Sequence, residues 1–177
     1  MFTFKKYLIE KVDCPKIYLD LDGVLVAFNQ KLKKIGVHLN DADISDIENW
    51  STIKQKYPDF WVTLNLSKEG SELWDFTKKY HPCILSAVPH NEFALWGKEG
   101  KMEWIENNLD MNLIDEIYLV ERSHKKDFAV DEHTGKPNLL IDDYEKNCIE
   151  FEQNGGYAIH HKNFQNTLSH LKTFGFK

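Results

Sequence analysis

The chain has 177 residues, 42% of them hydrophobic and 13% aromatic, which is enough to bury one substantial core but not two full domains. Its 22 Lys and Arg against 28 Asp and Glu give a formal charge of -6, which disfavours long nucleic acid as a partner unless a basic patch overrides it. The three cysteines, Cys14, Cys83 and Cys148, are odd in number and lack paired spacing, so neither a disulfide framework nor a zinc site is readable and a reducing compartment fits.

The opening stretch MFTFKKYLIEKVD carries Lys5, Lys6 and Glu10 within any apolar run. It reads as neither a signal peptide nor a membrane span, and the expectation is a soluble, cytoplasmic protein. KIYLDL at 16–21 predicts a first buried strand that ends on Asp20-Leu21-Asp22-Gly23. About 60 residues then separate Asp22 from Pro82, whereas a strand-helix-strand crossover needs only about 10 to 12. Residues 29–66, with Asp41, Asp43 and Asp46 near helix starts and Trp50, Phe60 and Trp61 among them, are therefore expected to form a small helical cap.

The segment 67–80 predicts a helix returning to the sheet, CILSAV at 83–88 a second strand, and GKMEWIENNL at 100–109 a further helix. EIYLV at 116–120 and NLLID at 138–142 predict the third and fourth strands, and Tyr157-Ala158-Ile159-His160 a fifth after Gly155-Gly156. Phe164, Leu168 and Leu171 fall at helical spacing and should close one face of the sheet. Alternation of this kind predicts an α/β fold with a central parallel sheet flanked by helices, its core made of residues 1–28 and 67–177.

Ligands of open parallel sheets bind beyond the carboxyl ends of the strands. At those ends stand Asp20 and Asp22, Ser86, the pair Lys125-Lys126, and Asp142-Asp143. Carboxylates gathered this closely repel one another unless a cation lies among them, and an oxygen-only donor set suits Mg²⁺. Lysine and serine would face an anion held by that metal, for which phosphate is the obvious choice. Each piece alone has a plain structural explanation. Ser86 could be a core hydroxyl, Lys125 and Lys126 a solvated pair, Asp142-Asp143 a helix cap, and Asp-Leu-Asp-Gly an ordinary turn, since Gly23 and Lys31 do not fit a calcium loop. Their order at successive strand ends is what argues for a site. His160-His161 with His170 lacks metal-ligand spacing and reads as a strand end at the surface, and GKEGK at 97–101 reads as a helix entry.

IYLDLDGVLVAF, ILSAVP, the lysine and LLIDD, taken in order, resemble the four-motif signature of the haloacid-dehalogenase-like (HAD) phosphatases over nearly the whole chain, most closely the 5'(3')-deoxyribonucleotidase group. The resemblance implies a Rossmann-like HAD fold with a helical cap inserted after the first strand. It implies Asp20 as the nucleophile, Asp22 as acid and base, Ser86 as a phosphate ligand, and Lys125, with Lys126 as the alternative, as the charge-stabilising lysine. Mg²⁺ would be held by Asp20, the Asp22 carbonyl and Asp143, with Asp142 beside them. Lys101 matches a lysine that turns toward the phosphate, and Phe28 a base-contacting position. Together with Trp61 and Phe60, Phe28 could sandwich a base, so a small phosphomonoester, foremost a nucleoside monophosphate, is the expected substrate, with sugar phosphates or nucleic-acid ends as alternative substrates and a non-catalytic metal- or nucleotide-binding module as the alternative role.

Overall fold

A computed structural model describes residues 14–37 and 47–177; Asp41, Asp43 and Asp46 lie outside the described residues. Five strands, β1 (Ile17–Leu19), β2 (Cys83–Ala87), β3 (Ile117–Val120), β4 (Leu139–Asp142) and β5 (Tyr157–His160), form one sheet in the order β3-β2-β1-β4-β5. Every neighbouring pair is parallel. β1, β2 and β4 are buried throughout, as expected for apolar runs covered on both faces. After β1 the chain winds outward through β2 to β3, then crosses back to lay β4 on the other side of β1. That reversal places the ends of β1 and β4 side by side at the switch point, where ligands of such sheets bind.

Among the described residues the helices are α1 (Phe28–Lys34), α2 (Ile47–Lys56), α3 (Lys68–Thr77), α4 (Ala94–Asn108), α5 (Glu145–Gln153) and α6 (Phe164–Thr173). A 3₁₀ segment, Arg122–Phe128, follows β3. Ser67 caps α3 by accepting a hydrogen bond from the Gly70 amide at 2.8 Å, and Asn163 caps α6 in the same way through the Asn166 amide. On α6 the buried Thr167 and Leu171 lie four residues apart, so one stripe faces inward. Among the described residues no helix is long and apolar enough to cross a membrane.

The long interval between β1 and α3 holds α1, α2 and a tight turn near residues 57–63. Its Trp50, Ile53, Phe60, Trp61 and Leu64 join the same hydrophobic cluster as Leu19, Leu25 and Ile84 of the sheet region. α4 receives this segment along a single stripe. Trp96 Nε1 donates to the Pro58 carbonyl at 2.7 Å, and Trp104 Nε1 donates to the Leu64 carbonyl at 2.8 Å. α4 begins six residues earlier than the sequence predicts, because Gly97 and Gly100 do not break it. They lie inside the helix, where Pro89 and Trp61 press against them.

α3 crosses close over the turn that follows β1. The Ser67 amide donates to the Leu25 carbonyl at 2.9 Å, and a Cβ at Gly70 would stand 2.1 Å from that same oxygen. Backbone cannot yield as a flexible side chain can, so Gly70→Ala should cost about 1–3 kcal/mol. Thermal unfolding should show a lowered midpoint, and an unchanged midpoint would mean that α3 does not bear on the turn as drawn.

Candidate active site

β1 ends at Leu19, and the chain immediately presents Asp20, whose amide continues the pairing with β4 by donating to the Ile141 carbonyl at 3.0 Å. The segment then folds back tightly. Leu25 and Val26 amides both donate to the Leu21 carbonyl at 2.9 Å, and Leu21, Val24, Leu25 and Val26 are all buried. Apolar anchors on both sides of Asp22-Gly23 thus fix two carboxylates at the sheet edge. Gly23 turns with φ +76°, and a Cβ there would lie 1.8 Å from an oxygen of Asp143. Only glycine lets the Asp143 carboxylate approach this turn.

β4 supplies the second pair of carboxylates. Asp142 is fully buried, and its oxygens accept from the Tyr144 amide at 2.9 Å, from Asn147 Nδ2 at 3.0 and 3.1 Å, and from Lys125 Nζ at 2.7 Å. Lys125 also reaches Asp20 Oδ2 at 2.9 Å, so one buried ammonium joins the ends of β1 and β4. Burial opposes its charge, but Asp142 and Asp20 outweigh burial and hold its pKa above the ordinary lysine range. Lys126 points outward and is exposed, so of the two lysines it is Lys125 that enters the site.

A second buried ammonium organises the other side. Lys101, 1% exposed, donates to Asp22 Oδ2 at 2.5 Å, to Ser86 Oγ at 2.9 Å and to the Ala87 carbonyl at 2.6 Å, which uses its three donors. The Trp61 ring lies 4.7 Å from its nitrogen, a cation–π contact shielded from water. Burial raises the Asp22 pKa, and Lys101 opposes that rise without cancelling it. Asp22 Oδ1 is buried with no hydrogen-bond partner among the described residues.

The structure therefore brings Asp20, Asp22, Ser86, Lys101, Lys125, Asp142 and Asp143 to one sheet edge. Phe28 and Trp61 have a different placement. Their rings stack on each other at 5.7 Å with an 8° interplanar angle, and Trp50 and Phe60 pack against Trp61. Phe28 is 8% and Trp61 1% exposed, so in this structure these rings form core. The sequence gives no hint of Asn147, whose amide steadies both oxygens of Asp142 from the first turn of α5. His161 also differs from the surface strand end expected: it is buried, with Nδ1 2.8 Å from Thr167 Oγ1. A cavity of about 470 Å³ opens beside Gly23 and Asp143 and is lined in part by His161.

Carboxylate oxygens of Asp20, Asp142 and Asp143 lie within 4.8 Å of one another. Asp142 is saturated by its donors, whereas the Asp143 carboxylate accepts no hydrogen bond among the described residues. Burial, followed by the charges of Asp20, Asp142 and Asp22, pushes its pKa up to about 8. Four carboxylates face two ammonium groups here, which leaves a surplus of negative charge on hard oxygen donors. The residues present fit a small divalent cation.

No family model matches the chain, and no curated protein matches it. Among solved structures it is similar to a HAD-superfamily hydrolase from Ehrlichia chaffeensis, at 12% identity over 91% of this chain and 98% of that one, with a TM-score of 0.50. It is also similar to a HAD-family enzyme from Bacteroides thetaiotaomicron, an aspartate-to-alanine variant in complex with magnesium and inorganic phosphate, at 19% identity over 85% and 95% of the two chains, with a TM-score of 0.54. The chain has the α/β fold of the HAD hydrolases.

Asp143 generates a pH dependence. Below about pH 4 it is protonated in both folded and unfolded chains, the ordinary value being 3.8. As pH rises toward about 8 the unfolded chain gives up the proton while the folded chain keeps it, so stability falls across this window. In chelator, Asp143→Asn should lose less stability than wild type between about pH 5 and about pH 8, by at least about 1.4 kcal/mol, the worth of one pKa unit. Parallel denaturation curves at the two pH values for both proteins would contradict the crowding described here.

Proposed function

We propose that the chain is a Mg²⁺-dependent phosphomonoesterase that works through an aspartyl-phosphate on Asp20. The observation that carries this reading is the pairing of Asp20 Oδ2 with the buried Lys125 at the switch point, two residues from a second aspartate held by Lys101. Asp20, the Asp22 carbonyl and Asp143 would hold the cation. When bound, it supplies positive charge that neutralises phosphoryl oxygens.

The chain's own residues do the remainder. One Asp20 oxygen is oriented by the Leu21 amide at 2.7 Å and the other by Lys125. An Asp20 oxygen forms a bond to phosphorus as the ester P–O bond breaks, and Asp22 gives the departing oxygen a proton. Water then attacks the aspartyl-phosphate, Asp22 takes the water's proton, and inorganic phosphate is released. Ser86 and Lys101 lie where they can turn from each other to phosphoryl oxygens. That exchange relieves Asp22 of its ammonium partner, and burial then favours the protonated form it needs as an acid. Lys125 stays beside Asp20 and offsets the charge that develops in the transition state.

Residues 29–66 act as the cap of this site in the proposal, a role supported by the contact of Trp61 with Lys101. A cytoplasmic setting belongs to the same reading and is supported by the three free cysteines. The substrate is a small phosphomonoester. The Bacteroides neighbour's phosphate complex is in keeping with this. A nucleoside monophosphate is the finer reading implied by the sequence resemblance, and it would have to bind with the Phe28–Trp61 pair closed or prise the rings apart.

Asp20→Asn should fold normally and lose at least about 10³-fold of kcat, because members of an interdependent catalytic set fail together. Activity should vanish on chelation and return with Mg²⁺, and a phosphoryl adduct should be trapped on Asp20 alone. Near-normal turnover by the variant, or full activity after exhaustive chelation, would exclude the mechanism. Lys125→Ala should cost roughly 10²-fold or more in kcat, in line with loss of a preorganised electrostatic contact, while Lys126→Ala should leave turnover close to wild type. Steady-state kinetics on the two variants decides between the lysines, and the opposite ranking would reassign the role.

A further inference from the structure

Asp142 is shut off from solvent and holds Lys125, so whatever fixes its oxygens also fixes the ammonium beside Asp20. The carboxamide of Asn147 is one such group, and a residue further out sets its orientation. Arg122 opens the 3₁₀ segment that carries Lys125. Side chains three residues apart on a 3₁₀ helix lie one above the other, so Arg122 and Lys125 face the same way. Asn147 and Glu150, three apart on α5, share a face in turn. The two elements meet where Arg122 Nη1 donates to Glu150 Oε2 at 2.8 Å and to Asn147 Oδ1 at 3.1 Å.

A carboxamide can present either end to a neighbour, and the two ends are opposite in polarity. The Arg122 guanidinium keeps its charge at any working pH and takes Oδ1, which leaves Nδ2 for Asp142. Nδ2 donates to both carboxylate oxygens, at 3.1 and 3.0 Å. Turned over, Asn147 would set its oxygen against the carboxylate and its NH₂ against the guanidinium, so three attractive contacts would become repulsive ones. The residue is buried, where an unmet polar contact costs most. Asp142 deprived of these donors would draw Lys125 closer to itself and away from Asp20, which now shares that ammonium at 2.9 Å.

We propose that Arg122 is a positioning residue for phosphoryl transfer: it fixes the Asn147 carboxamide, Asn147 fixes Asp142, and Asp142 so held leaves Lys125 shared with Asp20. This step rests on the phosphomonoesterase reading above. It separates Arg122 from its partner Glu150. Glu150 ties α5 to the 3₁₀ segment through the same Arg122 nitrogen but stands outside the line from Arg122 to Asp20, so its charge can be removed while the bond from Arg122 to Asn147 remains.

The test measures kcat and KM with Mg²⁺ on whichever of p-nitrophenyl phosphate, a hexose monophosphate and a nucleoside monophosphate wild type turns over fastest. Arg122→Met should lower kcat about tenfold, the lower end of what loss of an outer hydrogen-bond partner costs a site, with KM nearly unchanged because the loss falls on transition-state stabilisation. Glu150→Gln, which keeps an acceptor oxygen and drops the charge, should leave kcat within about twofold of wild type, as a change outside the line should. Asn147→Leu should cost about 10²-fold, and adding Arg122→Met to it should cost nothing more, because a residue acting only through Asn147 has nothing left to act on. Should Asn147→Leu fail to fold, the contrast between Arg122→Met and Glu150→Gln decides alone, at side chains 23% and 25% exposed. Wild-type kcat in Arg122→Met, an equal loss in Glu150→Gln, or losses that multiply in the double variant would overturn the inference and leave the phosphomonoesterase reading standing. A wild type that hydrolyses none of the three esters overturns that reading and the inference with it.

Discussion

Four carboxylates crowded at the ends of two neighbouring strands would drive those strands apart if they faced only one another. Lys125 holds them, spanning Asp20 on β1 and Asp142 on β4 with both contacts under 3 Å and almost no exposure. The stabilisation is conditional, since ions removed from water are costly and a buried pair repays that cost only when every remaining oxygen is bonded. Asp142 meets the condition through Asn147 and the Tyr144 amide, and Asp20 meets it through the Leu21 amide. Asp143 does not, and its unmet charge is the part of the lattice that fits a metal ion.

The sheet topology turns this local balance into a site. Because β1 lies between β2 and β4, Asp20 has Ser86 on one side and Asp142 on the other without any long loop to position them. Lys101 reaches the same point from α4, a helix anchored along one stripe by Trp96, Trp104 and the close approach of Trp61. Packing of the interval between β1 and α3 is thus linked through one ammonium to Asp22. A change in how Trp61 sits on α4 would be felt at the Asp22 carboxylate.

Much of this was legible in the residue order. Apolar runs ending in Asp20, Ser86 and Asp142 announced buried parallel strands, and the strands lie within a residue or two of where the runs place them. Spacing to the fourth strand favoured Lys125 and left Lys126 open, because a 3₁₀ segment rather than a regular helix sets which one turns inward. The aromatic residues were ambiguous for a different reason: Phe28, Phe60 and Trp61 have the composition of either a stacking platform or a core, and only their mutual packing distinguishes the two. The early start of α4 was hidden because GKEGK at 97–101 reads as the helix entry, whereas Gly97 and Gly100 lie inside the helix against Pro89 and Trp61. His161 carried no motif at all. Its position depends on β5 pairing with β4, a contact between distant segments.

The exposed rim of the cavity and the charge lattice are made of different residues, although Gly23 and Asp143 line the cavity as well. Asn29, Gln30, Lys68 and Lys162 are exposed rim positions supplied by helix entries and a loop, and surface substitutions of that kind usually cost a fold within about 0.5 kcal/mol. Exchanging Lys125, Asp142 or Gly23 would instead strand buried charge or collide with Asp143. Mutation can therefore explore the rim freely while the lattice stays frozen, so descendants of such a chain could change the charge and shape around the cavity long before they changed the carboxylates behind it.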